Sequence, residues 1–395
     1  MNKLDNIIQT LCPNSIKFQK LEDCCIIHDN KRKPITKRQR VAGKYPYYGA
    51  NGIQDYVENY IFDGFFLLVG EDGSVITEKG TPIVTWAHGK IWVNNHAHII
   101  SEKEGVLLRY LYHYLQIVDV TQLIHGNIPK LTGSDFKNLK IVVPPLPVQA
   151  EIVRILDKFT ELTAELTAEL TARKKQYEYY RDRMLRFDNN VSFVALGEVA
   201  EVTKLAGFEF TSHVKYKDNG AIIALRGLNI KEGKLDLSSV KYIDDSNFEK
   251  LNRSKLYKGD MLFTYVGTIG QVAVIDEDNR FYLAPNVARI RFDSKIINSE
   301  FMRFYFQTNH FFSKQINKFL NSSSMKNLTM ENIRKFIIPI PPIEQQNRLV
   351  GILSRFDKIC NDISEGLPAE IAARQKQYEF YRDKLLTFKE LTKEK

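Results

Sequence analysis

PPLPVQAEIVRILDKFTELTAELTAELTARKKQYEYYRDRML, residues 144–185, decides how the rest of the chain is read, because most of it is written a second time. PPIEQQNRLVGILSRF begins at Pro341, so Pro144, Pro145, Gln149, Ile155, Leu156 and Phe159 recur 197 residues later at Pro341, Pro342, Gln346, Ile352, Leu353 and Phe356. RKKQYEYYRDRML from Arg173 matches RQKQYEFYRDKLL from Arg374 at nine of thirteen positions. Self-similarity of this strength marks a duplicated architecture.

Upstream the similarity persists more weakly. LTGSDFKNLKIVVPP from Leu131 faces LTMENIRKFIIPIPP from Leu328, IKFQKLEDC near Ile16 resembles VSFVALGEV near Val191, and NNHAHII at Asn94 resembles PNVARIR at Pro285. The stretches between, residues 16–143 and 191–340, have diverged. Two like supports carry two unlike heads.

In the first support Val148, Ile152, Ile155, Phe159, Leu162 and Leu166 fall three and four apart, the spacing of an amphipathic helix. Leu170, Tyr177, Tyr180 and Met184 continue the stripe, PPLP sets its start and Asp188-Asn189-Asn190 its stop. About 39 residues make a helix of roughly 58 Å. The second copy runs from Glu344 toward Thr387 with four extra residues, where Gly366 and Pro368 should break it. A duplicated chain with a pseudo-two-fold axis would set the two helices antiparallel; two separate helices, each folded on its own head, are the plainer alternative. The expected class is α+β: a first head over 1–147, a support over 148–187, a second head over 188–343 and a second support over 344–395.

Both heads carry short β-rich runs broken by Gly, Asn and Asp, among them FFLLVGEDGSV and KGDMLFTYVGTIGQVAVI, with short helices such as LLRYLYHYLQ. The first holds the basic run KRKPITKRQR, in which Lys31, Arg32, Lys33, Lys37, Arg38 and Arg40 have no acid among them. Tyr47, Tyr48 and Asn51 follow. Cations beside flat and amide side chains suit a DNA-facing loop; a solvated basic loop has the same composition. Equivalent polar loops precede the Pro-Pro junctions: His125, Asn127 and Lys130 in one, Asn321, Ser323 and Lys326 in the other. Such residues reach phosphates or base edges, and they also form ordinary turns.

The chain has 56 Lys and Arg against 47 Asp and Glu, a net charge of +9 that favours a polyanionic partner. No apolar run is long enough to cross a membrane. Cys12, Cys24, Cys25 and Cys360 form no CxxC pair, and with no apolar leader they read as reduced thiols of a cytoplasmic protein. His96 and His98 alternate as structural strand residues. A phosphate loop, HExxH, GxSxG and an Asn-Pro-Pro-aromatic stretch are all missing, and the Gly267–Gly270 stretch reads as a turn. No catalytic or metal residue is therefore assigned.

The repeated PPLPVQ and PPIEQQ openings, the TAEL units, the paired RKKQYEYYRDRML and RQKQYEFYRDKLL segments, YPYYGANG and KGDMLFTYVGTIG together resemble the DNA-specificity subunit of type I restriction-modification systems. The resemblance covers essentially the whole chain. It implies two target-recognition domains reading a bipartite duplex, without carrying over individual base-reading residues; Arg226, Asn229 and Thr268 are the further candidate DNA contacts of the second head. It implies docking and spacing through Leu162, Leu166, Leu170, Tyr177, Tyr180, Tyr378 and Tyr381. It also implies two methyltransferase subunits carrying S-adenosylmethionine, and restriction subunits using ATP and Mg, with no cofactor on this chain. A stand-alone bipartite DNA-binding scaffold is the alternative. TELTAELTAELTA (160–172) then reads as an adjustable spacer: four residues turn a helix by about 400° and lengthen it by about 6 Å. A convenient Ala/Leu/Glu helix would look the same.

Overall fold

The computed structural model describes residues 18–188, 190–205, 210, 212–320, 327–361 and 365–388. Packing divides the chain into two compact units, Met1–Thr167 with Ile371–Lys395, and Ala168–Glu370. Each unit joins one head to part of the first support and part of the second.

In the first unit β1 (Phe18–Lys20) leads into a short helix, α1 (Leu21–Cys24), and pairs antiparallel with β10 (Lys140–Val142). Between them β2 (Ile26–Ile27), β3 (Ala42–Gly49), β4 (Gly52–Val57), β5 (Phe62–Gly70), β6 (Val84–Val93) and β7 (Ala97–Ser101) form a six-stranded sheet in the order β2-β7-β5-β6-β3-β4. FFLLVG reads as unbroken apolar sequence because both faces of β5 are covered. Phe66 and Leu68 face a cluster with Ile91 and Ile99, while Leu67 and Val69 face a second cluster. That second cluster contains α2 (Leu108–Leu115) and the supports. A small hairpin, β8 (Ile124–His125) with β9 (Lys130–Leu131), precedes α3 (Gly133–Lys137).

The second unit repeats the plan with a different sheet. β11 (Ser192–Ala195) leads into α5 (Leu196–Val199) and pairs antiparallel with β20 (Ile337–Ile340). β12 (Ala200–Lys204), β16 (Met261–Thr264), β17 (Val272–Val274) and β19 (Val287–Phe292) make a sheet in the order β12-β19-β16-β17. Two smaller pairs lie between: β13 (Ile223–Leu225) is parallel to β18 (Phe281–Leu283), and β14 (Ile230–Lys231) meets β15 (Lys234–Leu235). β16 is covered on both faces, Met261 and Phe263 in one cluster and Leu262 in another. The weak sequence matches have structural counterparts. Leu21 donates its N–H to Leu139 O at 2.9 Å and Leu196 its own to Phe336 O at 2.8 Å. Beyond α6 (Ser299–Phe306), Thr329 caps α7 (Met330–Arg334) in the same way as Thr132 caps α3.

α4 (Leu146–Met184) is one continuous helix of 39 residues. Its second copy is divided into α8 (Ile343–Asn361) and α9 (Leu367–Leu386), with Gly366 and Pro368 at the division. One residue explains how each support starts against its head. Gln149, fully buried, donates to Pro144 O at 2.7 Å and Gly105 O at 3.0 Å and accepts from Leu107 N at 2.9 Å. Gln346, also fully buried, donates to Pro341 O at 2.8 Å and Ile296 O at 2.9 Å and accepts from Asn298 N at 2.9 Å. The recurring glutamine thus satisfies loop backbone groups that burial would otherwise leave without partners.

Packing within each unit repeats as well. Phe159 stacks on Tyr381 in the first, and its equivalent Phe356 stacks on Tyr180 in the second. In the second unit Cys360 lies near Lys174 while Phe356 meets Tyr180, so α8 runs antiparallel to that stretch of α4. Leu162 and Leu166 in the first unit and Leu170 in the second are half-buried. No helix among the described residues is long and apolar enough to cross a membrane.

Candidate nucleic-acid interface

In the first head the basic run folds as two short 3-10 turns, Asp29–Lys31 and Lys37–Gln39, on the flank of the sheet. It separates into free cations and bound ones. Lys31, Lys33, Lys37 and Arg38 are exposed. Arg32 is not: its guanidinium meets Glu71 at 2.5 Å and Asp29 at 3.4 Å and donates to Ala97 O at 2.7 Å. Arg40 lies 4.2 Å over the Tyr47 ring, pairs with Asp55 at 3.3 Å and donates to Ile35 O. Both arginines hold the loop in place, which corrects the expectation that all six cations face DNA.

Tyr47 and Tyr48 need the same correction. Tyr47 is buried, and its hydroxyl accepts from Ile35 N at 3.0 Å; Tyr48 belongs to the cluster beneath β5. Neither ring is free to stack on a base. Both tyrosines are turned inward by the pairing of β3 with β4 and β6, whose register shifts between Tyr47 and Tyr48 and which the sequence does not show. Asn51 is exposed in the β3–β4 turn.

His125, Asn127 and Lys130 are all exposed on the β8–β9 hairpin. The hairpin is fixed to the loop that follows β5. Leu131 N donates to Glu71 O at 2.8 Å, Gly73 N donates to Pro129 O at 3.0 Å, and the backbone of Asp72 pairs antiparallel with that of Lys130. Lys130 Nζ approaches Glu71 at 3.3 Å, so one carboxylate joins the hairpin to the Arg32 loop. Sequence reasoning missed Glu71; the acidic pair Glu71-Asp72 directly beyond an unbroken apolar strand was the available signal.

Glu71 also belongs to a polar cluster with Asp29 and buried His98, whose ligand-type atoms lie within 4.8 Å of one another. His98 Nδ1 meets Asp29 at 2.6 Å and Nε2 meets Leu131 O at 3.0 Å. Burial pushes the Asp29 carboxyl up, but His98, the Ile99 amide and Arg32 outweigh it and hold the group below its ordinary range. With Arg32 already on both carboxylates, the cluster is an ion-pair network rather than a cation site. His98 is structural, as its strand position suggested, and His96 pairs with Asp72.

The second head ties the end of its polar segment in the same way. Leu328 N donates to Tyr265 O at 3.0 Å and Val266 bridges Asn327, the counterparts of the Leu131 and Lys130 contacts. Asn321, Ser323 and Lys326 lie outside the described residues. The GTIG stretch is the turn between β16 and β17, with Gly267 at φ +79° and Gly270 at φ +89°. Thr264 closes it, donating to Thr268 O at 2.5 Å and accepting from Gln271 N at 3.0 Å. Exposed Thr268 and half-buried Arg226 line one cavity of about 450 Å³, together with Tyr216 and Asn286. Asn229 does not reach it. Asn229 is fully buried and donates to Asp236 O and Ser239 O at 2.9 Å each, a loop-closing role that corrects its assignment as a DNA contact.

Of the support tyrosines, Tyr180 and Tyr381 are exposed at their outer edges, whereas Tyr177 and Tyr378 are buried. Tyr378 donates to or accepts from His113 Nδ1 at 2.9 Å. Cys24, Cys25 and Cys360 are buried free thiols, and burial pushes Cys24 up to about 11 and Cys25 up to about 12, which leaves them unreactive at neutral pH. Cys12 lies outside the described residues.

A family model described as the type I restriction modification DNA specificity domain matches the chain twice, over residues 13–173 and 189–373. A Haemophilus influenzae protein assigned as a type I restriction enzyme specificity subunit is 36% identical over 386 residues, covering 95% of this chain and 96% of its own. A type I restriction enzyme specificity subunit of Escherichia coli is 33% identical over 295 residues, 71% of each chain. The crystal structure of a type I restriction-modification S subunit from M. genitalium covers 96% of this chain and 98% of its own, with a TM-score of 0.56 at 14% identity. A second structure, described for complex assembly and conformational transition of the type I R-M system, gives 0.58 at 13% identity, covering 95% and 98%. At those identities the likeness extends to the fold.

Proposed function

Because the chain belongs to the type I restriction-modification DNA-specificity family, we propose that it is the non-catalytic, sequence-reading member of a larger complex. In this reading each head reads one half of a bipartite duplex. Two methyltransferase subunits dock on the supports and carry the S-adenosylmethionine, and restriction subunits supply ATP- and Mg-dependent work. The chain itself binds no cofactor.

One observation carries the reading. In two heads with different sheets, the leucine that closes each polar segment is tied to the residue just beyond a core strand, by the Leu131–Glu71 and Leu328–Tyr265 hydrogen bonds. An identical frame with unlike loop content is what two readers of different sequences require. The exposed cations Lys31, Lys33, Lys37 and Arg38 supply phosphate contacts, and the loops supply base contacts. Arg226 and Thr268 take the loop role in the second head. The TAEL segment, in the helix that enters both units, is the adjustable spacer between half-sites.

The test is co-expression with the cognate methyltransferase followed by genome-wide mapping of modified adenines. The expected result is one split motif with a fixed gap, dependent on this chain. Label transferred to DNA from S-adenosylmethionine by the purified chain alone would refute the non-catalytic assignment. Failure to co-purify with the methyltransferase would refute the docking.

A further inference from the structure

The β8–β9 hairpin carries a residue that its fold does not explain. Ile128 is 70% exposed, the most exposed large hydrophobic side chain among the described residues. It sits at the tip between Asn127 and Pro129, and the whole segment 125–130 is exposed. Scattered exposed apolar residues are ordinary; this one is held out on a rigid mount. Gly126 adopts φ +86°, a conformation other residues rarely enter, and turns the chain at the tip. Behind the tip, the Ile124–Leu131 and His125–Lys130 pairs and the bonds to Glu71 and Gly73 fix the base. Little conformational freedom is left for binding to remove.

Size selects the groove. Two antiparallel strands lie about 4.8 Å apart, so with side chains the hairpin is too broad for a minor groove about 6 Å wide. It matches the major groove, about 12 Å wide, which admits a two-stranded ribbon. There an adenine offers an adjacent acceptor and donor to a carboxamide, and a thymine offers its only apolar feature, the C5-methyl. Lys31 and Lys33 flank Arg32, which shares Glu71 with Lys130 at the foot of the hairpin, so the loop carrying these exposed cations is joined to it.

Resting on the proposed DNA-reading role, we propose that Ile128 and Asn127 are specificity-determining residues of the first head that read an A·T step in the major groove. Ile128 covers a thymine methyl and Asn127 makes paired hydrogen bonds to an adenine.

The experiment uses the full chain assembled with its methyltransferase, and duplexes carrying the target mapped for the wild type. Each thymine is replaced in turn by uracil, which lacks only the methyl. The wild type should lose roughly four-fold in affinity at one thymine, the worth of one buried methyl. Ile128→Ala should bind the parent duplex weaker by a similar factor and be indifferent to uracil at that position. Asn127→Ala should lose about ten-fold or more and relax the motif at one base pair. The variants alter exposed side chains, and unchanged unfolding midpoints would show that folding is intact. Two results overturn the proposal and leave the DNA-reading role standing: a wild type indifferent to uracil at every thymine, or Ile128→Ala as sensitive as the wild type. A wild-type complex that methylates no split motif overturns the role beneath it.

Discussion

Tyr177 and Tyr378 occupy the same place in the repeated QYE-aromatic-YRD motif, and each lies 5.6 Å from the arginine four residues on, Arg181 or Arg382. Their hydroxyls differ. Tyr378 meets His113 at 2.9 Å and Gln116 at 3.4 Å, while the buried Tyr177 hydroxyl has no hydrogen-bond partner among the described residues. Replacing a bonded buried hydroxyl leaves another polar atom unsatisfied, at about 1–3 kcal/mol. Tyr378→Phe should therefore lower the denaturation midpoint by that order, and Tyr177→Phe should leave it unchanged or raise it. Equal losses in chemical denaturation would refute the distinction. The motif was legible because it is repeated; the difference was not, because it depends on a histidine more than 260 positions away.

His113 gives the first unit a pH dependence. Its Nε2 meets Asp157 at 2.7 Å, and Arg109 also pairs with Asp157 at 2.7 Å. Burial, then the charges of Arg109 and Arg382, lower the His113 value, and Asp157 opposes them without prevailing. A histidine lowered in the folded state takes up its proton more readily when unfolded. Stability is then full above the ordinary histidine value of about 6.5 and declines as the pH falls below it. Asp157 is held low by His113 and Arg109 in spite of its burial, so its own contribution is lost only in the acid range below about 4. Unfolding midpoints at pH 7.5 and 5.5 should differ more for the wild type than for His113→Gln. An equal difference in both would place the titration elsewhere.

At the scale of elements, α4 was the easiest to read and the heads the hardest. Helix periodicity is local, so Val148 to Met184 declared itself. In the heads, β3 pairs with β6 across 45 residues and β12 with β19 across nearly 90, and no local pattern specifies those partners. That is why Tyr48 and Asn229 were assigned outward when packing turns them in. Within α4 the TAEL unit is also regular in its hydrogen bonds. Thr163 donates to Phe159 O at 2.8 Å and Thr167 to Thr163 O at 2.7 Å, each hydroxyl to the carbonyl four residues before it. Removing Thr163–Leu166 brings Thr167 into the place of Thr163, with the same carbonyl behind it. The helix should survive, shorter by about 6 Å and rotated by about 40°. B-DNA advances about 3.4 Å and turns about 34–36° per base pair, so the mapped gap should shorten by one or two base pairs with both half-sites unchanged. A deletion mutant that methylates with the original gap would refute the spacer.

The whole molecule adds a question of charge that neither residues nor elements settle singly. A net charge of +9 draws the chain to a polyanion, yet the structure separates cations that serve folding from those left for a partner. Arg32 and Arg40 are engaged with Glu71, Asp29 and Asp55; Lys37 and Arg38 stand exposed a few residues away. Each phosphate neutralised contributes about −0.9 to the slope of log affinity against log salt. The double substitution Lys37→Gln with Arg38→Gln should therefore reduce the slope measured for the assembled complex between 50 and 200 mM salt by roughly 2. The recognised motif should stay the same, because phosphate contacts position the protein and base contacts specify the sequence. Arg32→Gln should act differently. It leaves the partly buried Glu71 short of a partner, so its effect should be a lowered unfolding midpoint, not a changed slope. If the Lys37 and Arg38 double variant kept the full slope, the duplex would not run past this loop, and the basic run would be a solvated surface.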